Sequence, residues 1–321
     1  MPSPRLLVVM ELDVDAPRDT SVAIIEEALG RGLLVDVCDT PDLHFTARGA
    51  AANSQRVRAA DTTGITLGNP SATPLDRYRA ILYRKDPPFT VETLYATLLL
   101  EHARGHALLL NDPRGLRDAN EKLFALRFPA LTPPTAVLRR PEAIHAFCRA
   151  HSGVCVLKPL DGCGGSGIFI LRAGDPNANV IVESATGDGS RAVIAQAWVP
   201  AATDGDKRIF VLDGEPIGAL LRVPAPNEAR ANLHRGGTPQ ATSLTRRDLE
   251  IARTVGAACS TLGLSLVGLD VIGEHLTEVN VTSPTGFREL ERLTGTRLQE
   301  RVVDWVIDRL AGQSAPVRAA A

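Results

Sequence analysis

Aromatic residues are scarce in this chain, at 4% of 321 residues. That removes a stacking platform for single-stranded nucleic acid. Neither charge sign is in excess: Lys plus Arg number 35, Asp plus Glu 37, and the net charge is -2. The electrostatic footprint of a general nucleic-acid binder is missing, although a local positive cluster is still allowed. No apolar run approaches the ~18 residues of a membrane span. The first one, Arg5 to Met10, is short and is followed at once by Glu11 and Asp13, unlike a secretory leader. A cytoplasmic location is expected, with no membrane partner. The five cysteines (Cys38, Cys148, Cys155, Cys163, Cys259) are odd in number, scattered and without C-x-x-C spacing. Free thiols in a reducing compartment are expected, not a disulfide frame or a zinc site. The seven histidines are scattered too, and no Ser-His-Asp or Cys-His arrangement stands out. Internal repeats are absent.

What is present is an ordinary globular composition, 44% hydrophobic, and a length that suggests about two domains. The first third alternates strand and helix signals. Arg5 to Met10, Leu33 to Val37, Ala80 to Arg84 and Ala107 to Leu110 read as strands. Between them, Thr20 or Ser21 is expected to cap a helix ending near Gly30. A second helix opens at Thr90, with Val91, Leu94, Tyr95, Leu98 and His102 on one stripe. Strands separated by helices predict a parallel sheet with covering helices. Past Asn120, a helix over 141–151 starts at Pro141. Strands follow near 154–157, 168–171, 193–199, 208–212 and 216–222. Asp213-Gly214 turns the last two into a hairpin. The polar stretch 224–243 reads as a long loop. A helix over 245–262, strands at 266–272 and 276–281, and a last helix within 289–310 precede a frayed tail.

Three constellations carry chemistry. The segment Asp161-Gly-Cys-Gly-Gly-Ser-Gly167 lies between two strands. Its glycines suit a nest of backbone amides closing over phosphates, and equally an ordinary hairpin turn. No helix follows, so it is neither a Rossmann fingerprint nor a Walker loop. Lys158 ends an apolar strand, where an inward ammonium needs an anion. Lys122 is a second lysine near the flap, and for each a solvated position is the plain alternative. Then Gly268-Leu-Asp-Val-Ile-Gly-Glu-His-Leu-Thr-Glu-Val-Asn280 folds as a hairpin centred at Glu274. Asp270 then faces Glu278, Gly268 faces Asn280, and alternation puts Asp270, Glu278 and Asn280 on one face, with Val267, Leu269, Val271, Thr277, Val279 and Val281 on the other. Oxygen ligands with no His or Cys suit Mg²⁺; a solvated outer face with incidental acids is the alternative. Arg84, Arg208, Arg222, Arg230 and Arg288 are available for carboxylates or phosphates.

Taken in order, Arg84-Lys-Asp-Pro-Pro-Phe89, Asp118-Ala-Asn-Glu-Lys122, Leu157-Lys-Pro-Leu-Asp-Gly162, Asp204-Gly-Asp-Lys-Arg208, Val267-Gly-Leu-Asp-Val-Ile-Gly273 and Glu278-Val-Asn-Val-Thr-Ser-Pro-Thr285 closely resemble the bacterial glutathione synthetases of the ATP-grasp superfamily. The resemblance runs from about Arg5 to Leu310. It departs at Glu11-Leu12-Asp13 after the first strand, at Cys163 in the flap, and in the loop 224–239.

The resemblance implies a mixed α/β ATP-grasp fold. A parallel-sheet N-terminal domain would span 1–119, a small lid 120–195 and an antiparallel-sheet catalytic part 196–312, before a tail at 313–321. It also implies ATP-dependent ligation of γ-glutamylcysteine to glycine through an acyl phosphate, with Mg²⁺ or Mn²⁺, in a homo-oligomer, with a tetramer suggested. Lys122, Lys158 and the flap residues Gly164, Gly165, Ser166 and Gly167 would hold ATP phosphates. Gln196, Ala197, Trp198 and Val199 would meet adenine, and Asp206 the ribose. Lys158, Arg208 and Arg230 would be catalytic, with Arg208 bridging to the reacting phosphate. Asn232, Ser283, Thr285 and Arg288 would contact substrate, and Asp270, Glu278 and Asn280 the metal. A ligase for another amino-acid or peptide pair, or a silent nucleotide-binding relative, are the alternatives.

Overall fold

The computed structural model describes residues 3–226 and 236–313. The first strand, β1 (Arg5–Val9), is apolar and almost wholly buried, as suits a parallel strand covered on both faces. It leads through α1 (Thr20–Gly30) to the parallel β2 (Leu34–Cys38). The cap of α1 is Asp19, whose carboxylate accepts the amide of Val22 at 2.7 Å. Thr20 and Ser21, the expected caps, lie inside the helix because their hydroxyls are used elsewhere. Thr20 Oγ1 accepts the amide of Gly286 at 3.1 Å, and Ser21 Oγ accepts Arg84 Nε at 3.1 Å.

The sequence carries no strand signal between Val37 and Ala80, yet β3 (Leu43–Thr46), β4 (Gly49–Asp61) and β5 (Gly64–Pro74) stand there as an antiparallel meander. Its strands are largely half-exposed, so no apolar run announces them. Buried Asp36 of β2 ties them in, accepting Arg5 Nε at 2.7 Å, Arg56 Nε at 2.5 Å and the Tyr78 hydroxyl at 3.0 Å. Then come β6 (Ala80–Tyr83), α2 (Val91–Leu100), β7 (Leu108–Leu110) and α3 (Pro113–Asp118). The sheet order is β3-β4-β2-β1-β6-β7, with β5 on β4. The N-terminal sheet is therefore mixed, with a parallel centre and an antiparallel flank. The α2 stripe is also turned around. Val91, Tyr95 and Leu98 are 59%, 54% and 46% exposed, and the small residues Thr93, Ala96 and Thr97 face inward with Leu100.

A second, antiparallel sheet follows, in the order β10-β9-β11-β8. It comprises β8 (Thr135–Leu138), α4 (Pro141–Ala150), β9 (Val154–Pro159), β10 (Phe169–Arg172), α5 (Ala178–Thr186) and β11 (Val193–Ala197). Its core (Ile144, Cys155, Leu157, Leu171, Val182 and Val193 among others) is separate from the rest. The first strand of this lid begins at Thr135, and Phe124, Ala125 and Leu131 before it pack into the main core. Its last strand runs past residue 195 to Ala197.

The third sheet, β14-β13-β12-β15-β16, is antiparallel. It is built from β12 (Asp206–Leu212), β13 (Glu215–Val223), β14 (Thr238–Ala241), α6 (Arg246–Thr261), β15 (Leu266–Ile272) and β16 (His275–Asn280). The β12–β13 turn is Asp213-Gly214, both with positive φ, as a two-residue hairpin requires. Helix α6 starts with a capping box: Thr245 Oγ1 accepts the Asp248 amide and Asp248 Oδ2 accepts the Thr245 amide. The stretch 224–243, read as loop, contributes β14 at its far end. The final helical region is two helices, α7 (Phe287–Thr294) and α8 (Leu298–Gln313), broken at Gly295 with φ 72°. Two continuous cores join the first and third sheets. Phe210 meets Phe287 edge-on at 5.1 Å within one of them.

Candidate active site

The lid faces the third sheet across a cavity of ≈270 Å³. Its floor follows from strand alternation. Asp206 and Arg208 project from β12, Arg222 from β13, Asp270 from β15, and Glu278 and Asn280 from β16. The expected register holds, with Asp270 opposite Glu278 and Gly268 opposite Asn280. It then slips between Asp270 and Val271, so Val271 pairs with Leu276. That bulge turns Thr277 to the cavity beside Glu278, not to the opposite face, and its hydroxyl donates to the Asp270 carbonyl at 3.1 Å.

The floor is a chain of charges. Arg208 holds Asp270 bidentately, Nε to Oδ1 at 2.5 Å and Nη2 to Oδ2 at 3.0 Å. Arg222 Nη2 reaches Asp270 Oδ2 at 2.9 Å and Asp206 Oδ2 at 2.5 Å. Burial alone would raise the Asp270 pKa, but the two guanidiniums hold it well below the usual carboxylate range. Asp206 goes the other way: burial, countered by Arg222, leaves it up at about 6.

The lysines behave differently from each other. Lys122 Nζ pairs with Glu278 Oε1 at 2.9 Å and donates to the Gly162 carbonyl. Lys158 donates to Gln196 Oε1 at 2.8 Å, and Gln196 in turn donates to Thr135 Oγ1 at 3.0 Å. A neutral amide does little for an ammonium drawn partly out of water, and that desolvation pushes the Lys158 pKa down. Here the Gln196 side chain serves the lysine.

Between β9 and β10 the glycine segment forms a tight turn with positive φ at Gly164, Gly165 and Gly167. Gly162 to Ser166 line the cavity, and Cys163 Sγ donates to the Pro87 carbonyl at 3.4 Å, so the turn rests on the N-terminal domain. Val156, Ile170, Ile272, Trp198 and Val199 make an apolar wall. Ser283 and Thr285 line the opposite side.

Two expected residues, Arg230 and Asn232, lie outside the described residues. Arg288 is not in the cavity lining. It sits on α7, three residues beyond Thr285, where the helix turns it away to pair with Glu26 of α1 at 2.5 Å. Glu121 and Asp86 were not singled out as site residues, yet both line the cavity. Glu121 is half-buried, accepts Thr282 Oγ1 at 3.1 Å, and is pushed up to about 7 by burial of its carboxyl, with Glu278 adding to the effect. Its only sequence signal is its place beside Lys122.

Among the described residues no set of three His, Cys, Asp or Glu side chains is gathered as a metal cage. What the floor offers is two carboxylates and an amide, all hard oxygen donors. Asn280 Nδ2 donates to the Gly268 carbonyl at 3.2 Å, which reserves its Oδ1 for another partner. This donor set fits Mg²⁺ or Mn²⁺ and suits neither zinc nor copper.

Comparison with known proteins agrees with this geometry. The family model described as prokaryotic glutathione synthetase, N-terminal domain, matches residues 5–117, and the corresponding ATP-grasp domain matches 121–295. The chain is 45% identical to the glutathione synthetase of Pseudomonas putida over 96% of its own length and 98% of the relative's. It is 43% identical to that of Pseudomonas aeruginosa, over 97% and 100%. Among solved structures, a D-cycloserine synthetase superimposes with TM-score 0.68 at 17% identity over 96% of this chain and 100% of the other. A D-alanyl-alanine synthetase A from Vibrio cholerae does so with TM-score 0.59 at 16% identity over 97% and 99%. At such low identity these two speak for the fold alone. The chain belongs to the prokaryotic glutathione synthetase family and is an ATP-dependent ligase of the ATP-grasp fold.

Proposed function

We propose a division of labour within the cavity for glutathione synthesis, the activity that family membership assigns to the chain. The observation that carries it is Lys158, a half-buried lysine lining the cavity, whose hydrogen-bond partner is a neutral amide, facing a glycine turn. A polyphosphate supplies the missing charge. Lys122, Lys158 and the amides of Gly164, Gly165, Ser166 and Gly167 hold the ATP phosphates. The apolar wall with Gln196, Ala197, Trp198 and Val199 takes adenine, and Asp206 lies toward the ribose. Asp270, Glu278 and Asn280 hold Mg²⁺ or Mn²⁺, which when bound neutralises phosphate charge.

In the reaction the cysteinyl carboxylate of γ-glutamylcysteine attacks the γ-phosphorus, and ADP leaves. The amine of glycine then attacks the acyl carbon, and phosphate leaves. Arg208 stabilises the charge that develops on the transferring oxygens. Ser283 and Thr285, with Arg230 and Asn232, orient the peptide. The lid excludes water from the acyl phosphate. No side-chain nucleophile is required.

ADP release measured with γ-glutamylcysteine and glycine, separately and together, tests this. The pair should stimulate release far beyond either compound and beyond other amino-acid pairs; equal rates for all would defeat the assignment. The five free thiols support a reducing, cytoplasmic setting. The exposed apolar residues of α2 and Phe45 support self-association into a homo-oligomer, which sedimentation velocity reads directly.

A further inference from the structure

The carboxylate assigned to the cation already carries two guanidiniums. Both Asp270 oxygens accept from Arg208, and Oδ2 also accepts from Arg222. Glu278, the other carboxylate of the set, carries Lys122. Each of the two carboxylates therefore has a fixed cation on it. A divalent ion arriving alone meets like charge within a few ångströms, in surroundings that screen it poorly.

The network is nevertheless open. Arg222 Nε and Asp206 Oδ1 are both buried and have no hydrogen-bond partner among the described residues. Arg222 spans two carboxylates with the single nitrogen Nη2, at 2.5 and 2.9 Å. Its planar fork has donors left over, pointing to a further anionic partner. Phosphate oxygens are a natural bidentate partner for a guanidinium.

We propose that Arg222, with Arg208, latches the cation site shut until the nucleotide opens it. The polyphosphate draws guanidinium away from Asp270, and the freed carboxylate takes the divalent ion. This rests on the assignment of Asp270 to the cation made above. Arg222 is thus a positioning residue that acts on the cation through Asp270. Cation and nucleotide bind with strong positive coupling, and the coupling is reciprocal.

Mn²⁺ alone is the probe, its free fraction read by electron paramagnetic resonance on the full chain without nucleotide or substrate. The double variant Asp206→Asn/Arg222→Met removes one charge of each sign, so the net charge of the cavity is unchanged and no buried carboxylate is orphaned at position 206. It should bind Mn²⁺ at least tenfold more tightly than the parent. Arg222→Lys, the milder substitution, keeps the charge but loses the fork and should tighten binding by a smaller factor. Mn²⁺ affinity within twofold of the parent in both variants overturns the latch. Adding Asp270→Asn to the double variant should erase the gain. If the gain persists, the ion is not held by Asp270, and the cation assignment falls with the proposal.

Discussion

Glu121 shows how a single side chain can carry pH dependence into the fold. Its carboxyl is half-buried beside Glu278 and pushed up to about 7. A carboxyl raised above its unfolded value is held protonated by folding. The stability it contributes is complete below the unfolded value of ~4.3 and is lost as pH rises through about 7. A shift of this size is worth on the order of 3–4 kcal/mol. Glu121→Gln, which cannot ionise, should therefore gain stability relative to the parent as pH rises from 5 to 8. Urea unfolding of both proteins in chelator at pH 5, 6.5 and 8 measures this, and parallel curves would refute it. Glu121 was not legible in the sequence, because nothing local says that 120–123 is drawn under β16, where the Glu121 carbonyl accepts the Val279 amide. Lys158 was legible, because an apolar strand ending in lysine is itself the anomaly. Arg288 lies outside the cavity lining and pairs with Glu26, because proximity in sequence to Thr285 says nothing about the face on which a helix presents a residue.

Among the elements, those with strong local signals were legible. Buried apolar strands, the Asp213-Gly214 hairpin, the Pro141 helix start and the β15–β16 register all follow from periodicity and turn chemistry. The β4–β5 hairpin was not, since its strands are half-exposed and it joins the sheet through a short pairing of β4 with β2, reinforced by Arg56 on Asp36. The flap tests how tightly one element is fitted. A Cβ on Gly162 would lie 2.4 Å from Pro159 Cγ and 3.1 Å from the Ser166 carbonyl, so the turn cannot keep its shape with alanine there. Gly162→Ala should lower kcat/KM for ATP at least tenfold, roughly 1.4 kcal/mol or more at the transition state. Its Tm should stay within about 2 °C, because the residue lines the cavity and is absent from the lid core. Activity equal to the parent's would show that the flap is not fitted at this point.

At the scale of the molecule, the cores divide the chain unevenly. The N-terminal and third sheets share two of them, and Asn111 stitches the two sheets together, bonding to Leu266 and Val281 at 2.7–2.8 Å. The lid keeps a third core to itself. An element with its own small core opens by itself, at lower free energy than the whole. Such an opening would admit substrates to the cavity beneath it. Leu157→Ala deletes a fully buried lid side chain and should cost the lid ~2–5 kcal/mol. Val267→Ala makes a hole in a shared core instead, as Val267 packs where the two sheets meet. Amide hydrogen exchange should separate the two. In Leu157→Ala, β8 to β11 exchange faster while β1, β6 and β15 keep their protection. In Val267→Ala, protection falls across both large sheets together. If Leu157→Ala instead accelerated exchange evenly along the chain, lid and body would be one cooperative unit, and substrate entry would have to proceed without independent opening of the lid.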